Sequence, residues 1–406
     1  MKFFITGLCL QGNKGGPAIA KSLMNRLRRE FPGCQFILSV PGTVTEWPHE
    51  KQCADEMGIK VVKNISLKHF VPPYALKLSR IKESMVWLRS FISCETVIQM
   101  SAISYIGPPS GTGKFFNQFS SNRFLDFLLS AIFRKKFIAW TQSYGPFSSF
   151  WVRFFAKLDL RFQGVIFCRG PECKSEVQKL LPRKKIKAYP DVAIILQPET
   201  SPTTEEYISW LSTGSAVSVT MSPSAVLFSR GQNPLGPNEY IERLEQIADW
   251  FISKKCKLLL VPHTFRPSDR VPERCDFQVS RILARNISSK SVGVVSENIE
   301  AGHLKKIIGS SDLHIAGRYH AHVAALSQGV PSLATSWHPK YRDLSRMYKM
   351  DRYIVDGLNV GSGDERLFEE FLKNRKQLAS SISKSHTKNL KKIDENFEDF
   401  RVILNG

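Results

Sequence analysis

Apolar runs of four to seven residues alternate with amphipathic stretches of helical length along almost the whole chain. In the first half "MKFFITGL" leads to "PAIAKSLMNRLRREF", followed by "CQFILSV" and "IKVV". "SMVWLRSFI" then precedes "TVIQMS", "FLDFLLSAIF" precedes "KFIAWTQ", and "VIFCRG" runs into "PECKSEVQKLL". Short apolar strands separated by segments of helical period are the mark of βαβ units, whose parallel sheet is covered on both faces. The opening run carries one Lys, has no small-residue cleavage site and passes at once into polar "GNKGG". It reads as a buried first strand rather than a signal peptide.

At residues 197–214 the rhythm lapses into "QPETSPTTEEYISWLSTG", rich in Pro, Ser, Thr and Gly, which predicts a linker. It resumes with strand "SAVSVTMSP", helix "NEYIERLEQIADWFISKK", strand "KLLLVPHT", a helix near 276–286 and strand "VGVVSE". Helix "EAGHLKKIIGS", strand "DLHIAG", helix "HAHVAALSQG", strand "PSLATS" and helix "KYRDLSRMY" complete the second half. The expected architecture is α/β, with two doubly wound Rossmann-like domains facing a cleft. The first covers 1–196, the linker 197–214, the second 215–360, and a Lys-rich helical tail 361–406. Sheets of this kind bind ligands beyond the carboxyl ends of their strands, so the strand-end loops are where chemistry is sought.

Composition changes this picture in two ways. Lys and Arg number 57 against 36 Asp and Glu, a net charge of +21, so the surface field draws anions such as phosphorylated small molecules, acidic lipid or nucleic acid. The basic residues are scattered ("RLRRE", "FRKKF", "LPRKKIK", "LKNRK") and form no RGG tract or single basic arm, which argues against nucleic acid. The 8 cysteines stand singly with no CxxC pair, which supports neither a zinc ribbon nor a redox dithiol and fits a reducing cytoplasm. No apolar run reaches the ~18 residues of a membrane span.

Among the strand-end loops, "QGNKGGPAIAKSL" joins the first strand to the first helix. Gly15 and Gly16 expose backbone amides there and Pro17 suits a first helical turn, which makes an anion or polar-ligand site, with Asn13, Gly15 and Gly16 its candidate residues. The glycine spacing is wrong for GxGxxG. "IGPPSGTGKFF" imitates a P-loop, but Pro108 occupies its first glycine position and Phe115 the Ser/Thr position, so it reads as a loop over the cleft. "FCRGPECKSEV" puts Arg169 at a strand end, where it can hold a carboxylate or phosphate through two bonds or pair with Glu172. Asp191 in "YPDVAI" reads as a cap or turn residue, and "LLVPHTFRPSDR" places His263 and Arg266 at another strand end.

The densest chemistry lies in "SSDLHIAGRYHAHVAALSQGVPSLATSWHPK", with Arg318 at the turn after a strand and no acidic residue close in sequence. His320 falls in the first turn of a helix whose Ala321, Ala324 and Ala325 let it press on the sheet. An anion there meets backbone amides, the helix dipole and Arg318 together, and His320 has the reach to move a proton. His320 and His322, two apart, point to opposite sides of a helix, so no metal site is expected.

These loops, in this order, resemble the polysaccharide pyruvyltransferase family. The resemblance runs over about 5–345 and is carried by "GNKGGPAIAKSL", "QSYGPF", "RGPECKSEV", "PDVAI" and above all "DLHIAGRYHAHVAALSQGVPSLATSWHPKY". It implies a GT-B-like fold and transfer of pyruvate from phosphoenolpyruvate to a sugar of an exopolysaccharide or other glycan precursor, with no further cofactor. His320 is then the candidate general acid with His263 auxiliary. Arg318, Arg169 and Lys340 are candidate phosphoenolpyruvate anchors, and Asn13, Gly15 and Gly16 candidate acceptor contacts. The acceptor would be a soluble or lipid-linked glycan, with the enzyme in the cytoplasm and peripheral contact with acidic membrane at its inner face. The alternative reading is a glycosyltransferase of the same fold using a nucleotide-sugar donor.

Overall fold

The computed structural model describes residues 1–40, 47–65, 78–101, 103–105, 122–147, 149–214, 216–231, 238–266, 275–336, 338–358 and 364–405. The P-loop-like stretch at 106–116 lies outside them. The chain forms two compact units. The N-terminal unit holds Met1–Gln11, Ala20–Val192 and Lys392–Gly406; the C-terminal unit holds Gly12–Ile19 and Ala193–Lys391.

In the N-terminal unit the strands are β1 (Lys2–Thr6), β2 (Gln35–Val40), β3 (Lys60–Lys63), β4 (Thr96–Gln99), β5 (Ile103–Ser104), β6 (Lys136–Ala139), β7 (Ser143–Tyr144), β8 (Ile166–Arg169) and β9 (Ile186–Tyr189). The helices are α1 (Gly15–Glu30), which starts in the other unit, α2 (Trp47–Glu56), α3 (Leu78–Ile92), α4 (Asn122–Ile132), α5 (Phe150–Phe162) and α6 (Pro171–Leu180). The main sheet is parallel, in the order β3-β2-β1-β4-β6, and β5-β7 and β8-β9 form short parallel pairs. "FFIT" of β1 is buried on both faces, as an interior parallel strand must be.

The C-terminal unit repeats the plan. Its strands are β10 (Ser218–Ser222), β11 (Lys257–Leu260), β12 (Val292–Val294), β13 (Leu313–Ala316), β14 (Ser332–Ser336) and β15 (Ile354–Asp356). They pair in parallel in the order β12-β11-β10-β13-β14-β15. Its helices are α7 (Pro202–Ser212), α8 (Ala225–Gly231), α9 (Asn238–Ser253), α10 (Asp276–Ile287), α11 (Ala301–Gly309), α12 (Tyr319–Leu326), α13 (Pro339–Met347) and α14 (Glu365–Lys373). A last helix, α15 (Arg375–Asn405), begins here and ends with the N-terminal unit. β10 lies between β11 and β13, so the order reverses at β10/β13, the point where doubly wound sheets take ligands.

The structure departs from the expected boundaries in three places. Residues 197–214 are not a linker: Ser201 caps α7, accepting from Thr204 N at 3.2 Å, and Tyr207 and Trp210 pack on the core of Leu259, Leu304 and Ile308. The polar composition marked the outer face and cap of a helix. The tail is not a separate element either: Phe397 and Phe400 lie 4.8 and 4.9 Å from the Trp140 ring, inside the N-terminal unit. Finally, the glycine loop at 12–19 leaves the strand it follows and counts with the C-terminal unit.

Candidate functional site

Three strands of the C-terminal sheet deliver polar residues at their carboxyl ends: Ser222 from β10, His263 beyond β11 and Arg318 beyond β13. Gly317 sets the turn, because a Cβ there would lie 2.7 Å from Ser222 O and 2.9 Å from the Tyr240 hydroxyl. Arg318 then stands at the N-cap of α12 in extended conformation. The chain at Lys14 completes the edge. Its amide donates to His263 O at 2.9 Å, and Asn13 bridges Thr264 in antiparallel fashion. Asn13 Oδ1 accepts from Gly15 N at 3.0 Å and so starts α1.

The loop brings Gly15 against His320. A Cβ at position 15 would fall 2.6 Å from His320 Cε1 and 2.7 Å from Cγ, so only glycine admits the imidazole there. Opposite, the His320 ring meets Tyr319 edge-on with centroids 5.3 Å apart, and Lys340 Nζ sits 5.0 Å from the centroid of the same Tyr319 ring. Lys340 is buried in the first turn of α13, its amide donating to His338 Nδ1 at 3.2 Å.

Lys14, Lys305, His263 and His320 line one small pocket, whose apolar walls include Ala18, Leu196, Val323 and Ala324. Lys14 Nζ stands 3.6 Å from Glu300 Oε1. Lys305, from α11, is buried and donates to Ile194 O at 3.0 Å; burial pulls its ammonium down to about 7. Burial likewise pushes His263 down to about 4, against the opposing pull of the Asp276 charge. His263 is therefore neutral at physiological pH and does not fit the role of a protonated auxiliary acid expected of it. The pocket thus combines four nitrogen-bearing side chains with a largely apolar lining, an arrangement for holding an anion and moving a proton.

Arg318 does have an acidic partner. Its Nε donates to Asp276 Oδ1 and Oδ2 at 2.9 and 2.8 Å, and Nη2 to Oδ1 at 2.6 Å. Asp276 is fully buried at the start of α10 and also accepts from Ala225 N at 2.7 Å. The pair was not legible in the sequence, because the two residues lie 42 positions apart in the chain. Arg169 belongs to the N-terminal unit, where its Nη1 lies 3.2 Å from Asp191 Oδ2 and its Nη2 donates to Thr141 O at 3.2 Å. It pairs with Asp191, which is thus an ion-pair partner. His322 is buried between Ser332 Oγ at 2.8 Å and Ser345 Oγ at 2.9 Å, and burial pushes it down to about 3. Among the described residues no group of three His, Cys, Asp or Glu could hold a metal ion.

The structure thus groups Asn13, Gly15, His263, His320, Arg318 and Lys340 in one unit and leaves Arg169 in the other. Assigning Asn13, Gly15 and Gly16 to the N-terminal domain is corrected by their membership of the C-terminal unit. Lys14 and Lys305 escaped the sequence reading. Lys14 lies in the glycine loop between β1 and α1, whereas Lys305 sits on an ordinary amphipathic helix with nothing to mark it.

A model of the polysaccharide pyruvyl transferase family matches residues 13–339, a span that contains every residue of this pocket. The chain belongs to that family. No curated protein matches it by sequence. Among solved structures it is similar to HepE of Anabaena in complex with UDP-glucose (13% identity, TM-score 0.57, covering 99% of this chain and 100% of that one). It is similar also to the UDP-GlcNAc 2-epimerase of Neisseria meningitidis bound to UDP-GlcNAc (11%, TM-score 0.55, 97% and 100%). A third is the N-terminal domain of Candida albicans trehalose-6-phosphate phosphatase (12%, TM-score 0.57, 100% and 96%). At these identities the likeness concerns the fold, which for this pyruvyl transferase family member is GT-B-like. Among the described residues no helix is long and apolar enough to cross a membrane.

Proposed function

We propose that the protein transfers a pyruvyl group from phosphoenolpyruvate to a sugar of a polysaccharide or glycan precursor as a ketal, releasing phosphate. The observation that carries this reading is the pocket in which Lys14, Lys305, His263 and His320 converge at the switch point of the C-terminal sheet. Phosphoenolpyruvate carries a carboxylate and a phosphate, and a pocket of two lysines and a helix start supplies countercharge for both. Lys305 is poised to take up a proton when such an anion arrives, because an adjacent negative charge favours the ammonium.

In the reaction the imidazolium of His320 gives its proton to the methylene carbon while a sugar hydroxyl adds to the central carbon and passes its own proton to an oxygen of the departing phosphate. Phosphate then departs as the carbon–oxygen bond breaks. A second hydroxyl of the same sugar closes the ketal, its proton leaving with the phosphate or returning to His320. Neutral His263 serves as a fixed dipole beside the imidazolium. Gly15 and Tyr319 hold the His320 ring from two sides, which keeps the proton donor aimed. Arg318, locked by Asp276, holds the start of α12 in place; Lys340 is the cation at the Tyr319 ring.

The test is phosphate release from phosphoenolpyruvate, with and without a glycan pool, for the wild type and His320→Ala. Glycan-dependent release that the substitution abolishes is expected. Absence of release, together with a melting shift from a nucleotide sugar and none from phosphoenolpyruvate, would replace this reading with a glycosyltransferase.

A further inference from the structure

Helix α5 of the N-terminal unit turns aromatic side chains toward solvent. Its inner face is fixed by Val152, Phe155, Ala156 and Leu160 and by buried Asp159, which accepts from Arg123 Nε at 2.6 Å and Tyr105 OH at 2.5 Å. Ser149 caps the start, accepting from Val152 N at 3.3 Å. The outer face nevertheless carries Phe150 (66% exposed), Trp151, Phe154 and Phe162 (68%). These rings support one another, with centroids 5.1 Å apart for Phe150–Trp151 and 6.0 Å for Trp151–Phe154. Phe162 reaches the Phe127 ring of α4 at 5.6 Å, and the end of α4 adds exposed Ile132 and Phe133. A groove lined by Phe127, Ala131, Lys135, Phe137 and Phe162 joins the two helices.

Such a cluster of large apolar side chains, rigidly held and uncovered, is uncommon on a water-facing surface and marks an interaction site. Its charge is one-signed. Arg134, Lys136, Arg153, Lys157 and Arg161 are exposed around it, whereas the only acids between 122 and 162, Asp126 and Asp159, are buried.

We infer that this aromatic and basic face of α4 and α5 docks on an anionic lipid surface, inserting Phe150, Phe154 and Phe162 among the headgroups while Arg153, Lys157 and Arg161 meet lipid phosphates. Aromatic side chains favour the membrane–water interface, and adjacent cations add attraction to acidic lipid. A second copy is a poorer occupant, because a two-fold contact would set the same cations against one another. A soluble polyanion would neutralise the cations but leave the rings in water. The inference does not depend on the reaction proposed for the C-terminal unit.

The test is co-sedimentation with vesicles of phosphatidylcholine alone and with phosphatidylglycerol added. Wild type is expected to bind the mixed vesicles at least tenfold better than the neutral ones. A triple Phe150→Ser, Phe154→Ser, Phe162→Ser variant and, separately, a Lys157→Glu, Arg161→Glu variant are each expected to lose at least tenfold in binding, with circular dichroism unchanged. Should the triple variant misfold, the charge-reversal variant decides alone. Equal binding to neutral vesicles, undiminished binding of the charge-reversal variant, or no binding by wild type would overturn the inference. So would a dimer in light scattering that the triple variant dissolves.

Discussion

The imidazole of His320 rests on the backbone of Gly15, closer than any β-carbon at that position would allow. The two residues come from opposite ends of the family-matched span, and the hydrogen bond from Lys14 N to His263 O fixes the loop that brings them together. A glycine that looked like a turn residue is therefore a steric partner of the proposed acid.

Gly15→Ala must push the ring out of line. Displacing a reacting group by about 1 Å costs on the order of 10²-fold in rate, so phosphate release from phosphoenolpyruvate should fall by one to two orders of magnitude. Gly164→Ala, at a position with nothing within 4 Å of the added carbon, is the control and should leave the rate unchanged. A Gly15→Ala enzyme of wild-type activity would remove His320 from the role assigned to it.

His320 and His322 should separate cleanly. His320→Ala removes a partly buried pocket side chain and is expected to abolish turnover with a smaller change in melting temperature than His322→Ala. His322→Ala leaves the hydroxyls of Ser332 and Ser345 without their buried partner and opens a cavity, at a cost of about 2–4 kcal/mol, read in urea denaturation. Equal stability losses in both variants would contradict these placements.

Asp276→Ala strips the carboxylate from the Arg318 guanidinium and from Ala225 N. Breaking a buried pair by removing one partner costs about 3–5 kcal/mol, because the remaining charge has no water to replace it. A melting temperature within about 1 °C of wild type would show that Arg318 finds another counterion.

Stability should depend on pH through two sets of groups. Folded Lys305 gives up its proton near 7 whereas a solvated lysine keeps it to about 10.4. Between those values the unfolded chain binds more protons, so stability rises with pH across the window. Lys305→Met should flatten that rise, measured by urea unfolding at pH 7 and 9, and an unchanged slope would refute the burial argument. On the acid side His263 and His322, held near 4 and 3, cannot take up the protons that the unfolded chain accepts below about 6.5. Stability therefore falls as pH drops from about 6.5 towards 4.

The chain's alternation of apolar strands and amphipathic helices was enough to determine two parallel α/β sheets, because interior strands must be apolar on both faces and crossovers must be helical. Placement of Arg318 and His320 at a strand end and helix start was legible for the same reason, as was the close seating of α12 from Ala321, Ala324 and Ala325, which join the core of the C-terminal unit. What local pattern could not carry is who meets whom. Asp276 lies 42 residues from Arg318 in the chain, and the loop of Lys14 and Gly15 joins a unit that otherwise starts at Ala193. The same limit hid the helix at 202–212, whose polar residues suggested a linker until Tyr207 and Trp210 found a core to cover. Periodicity records which face of an element is buried; the tertiary fold alone decides which distant residue shares that burial, and with it the charge of Lys305, the neutrality of His263 and the room beside His320.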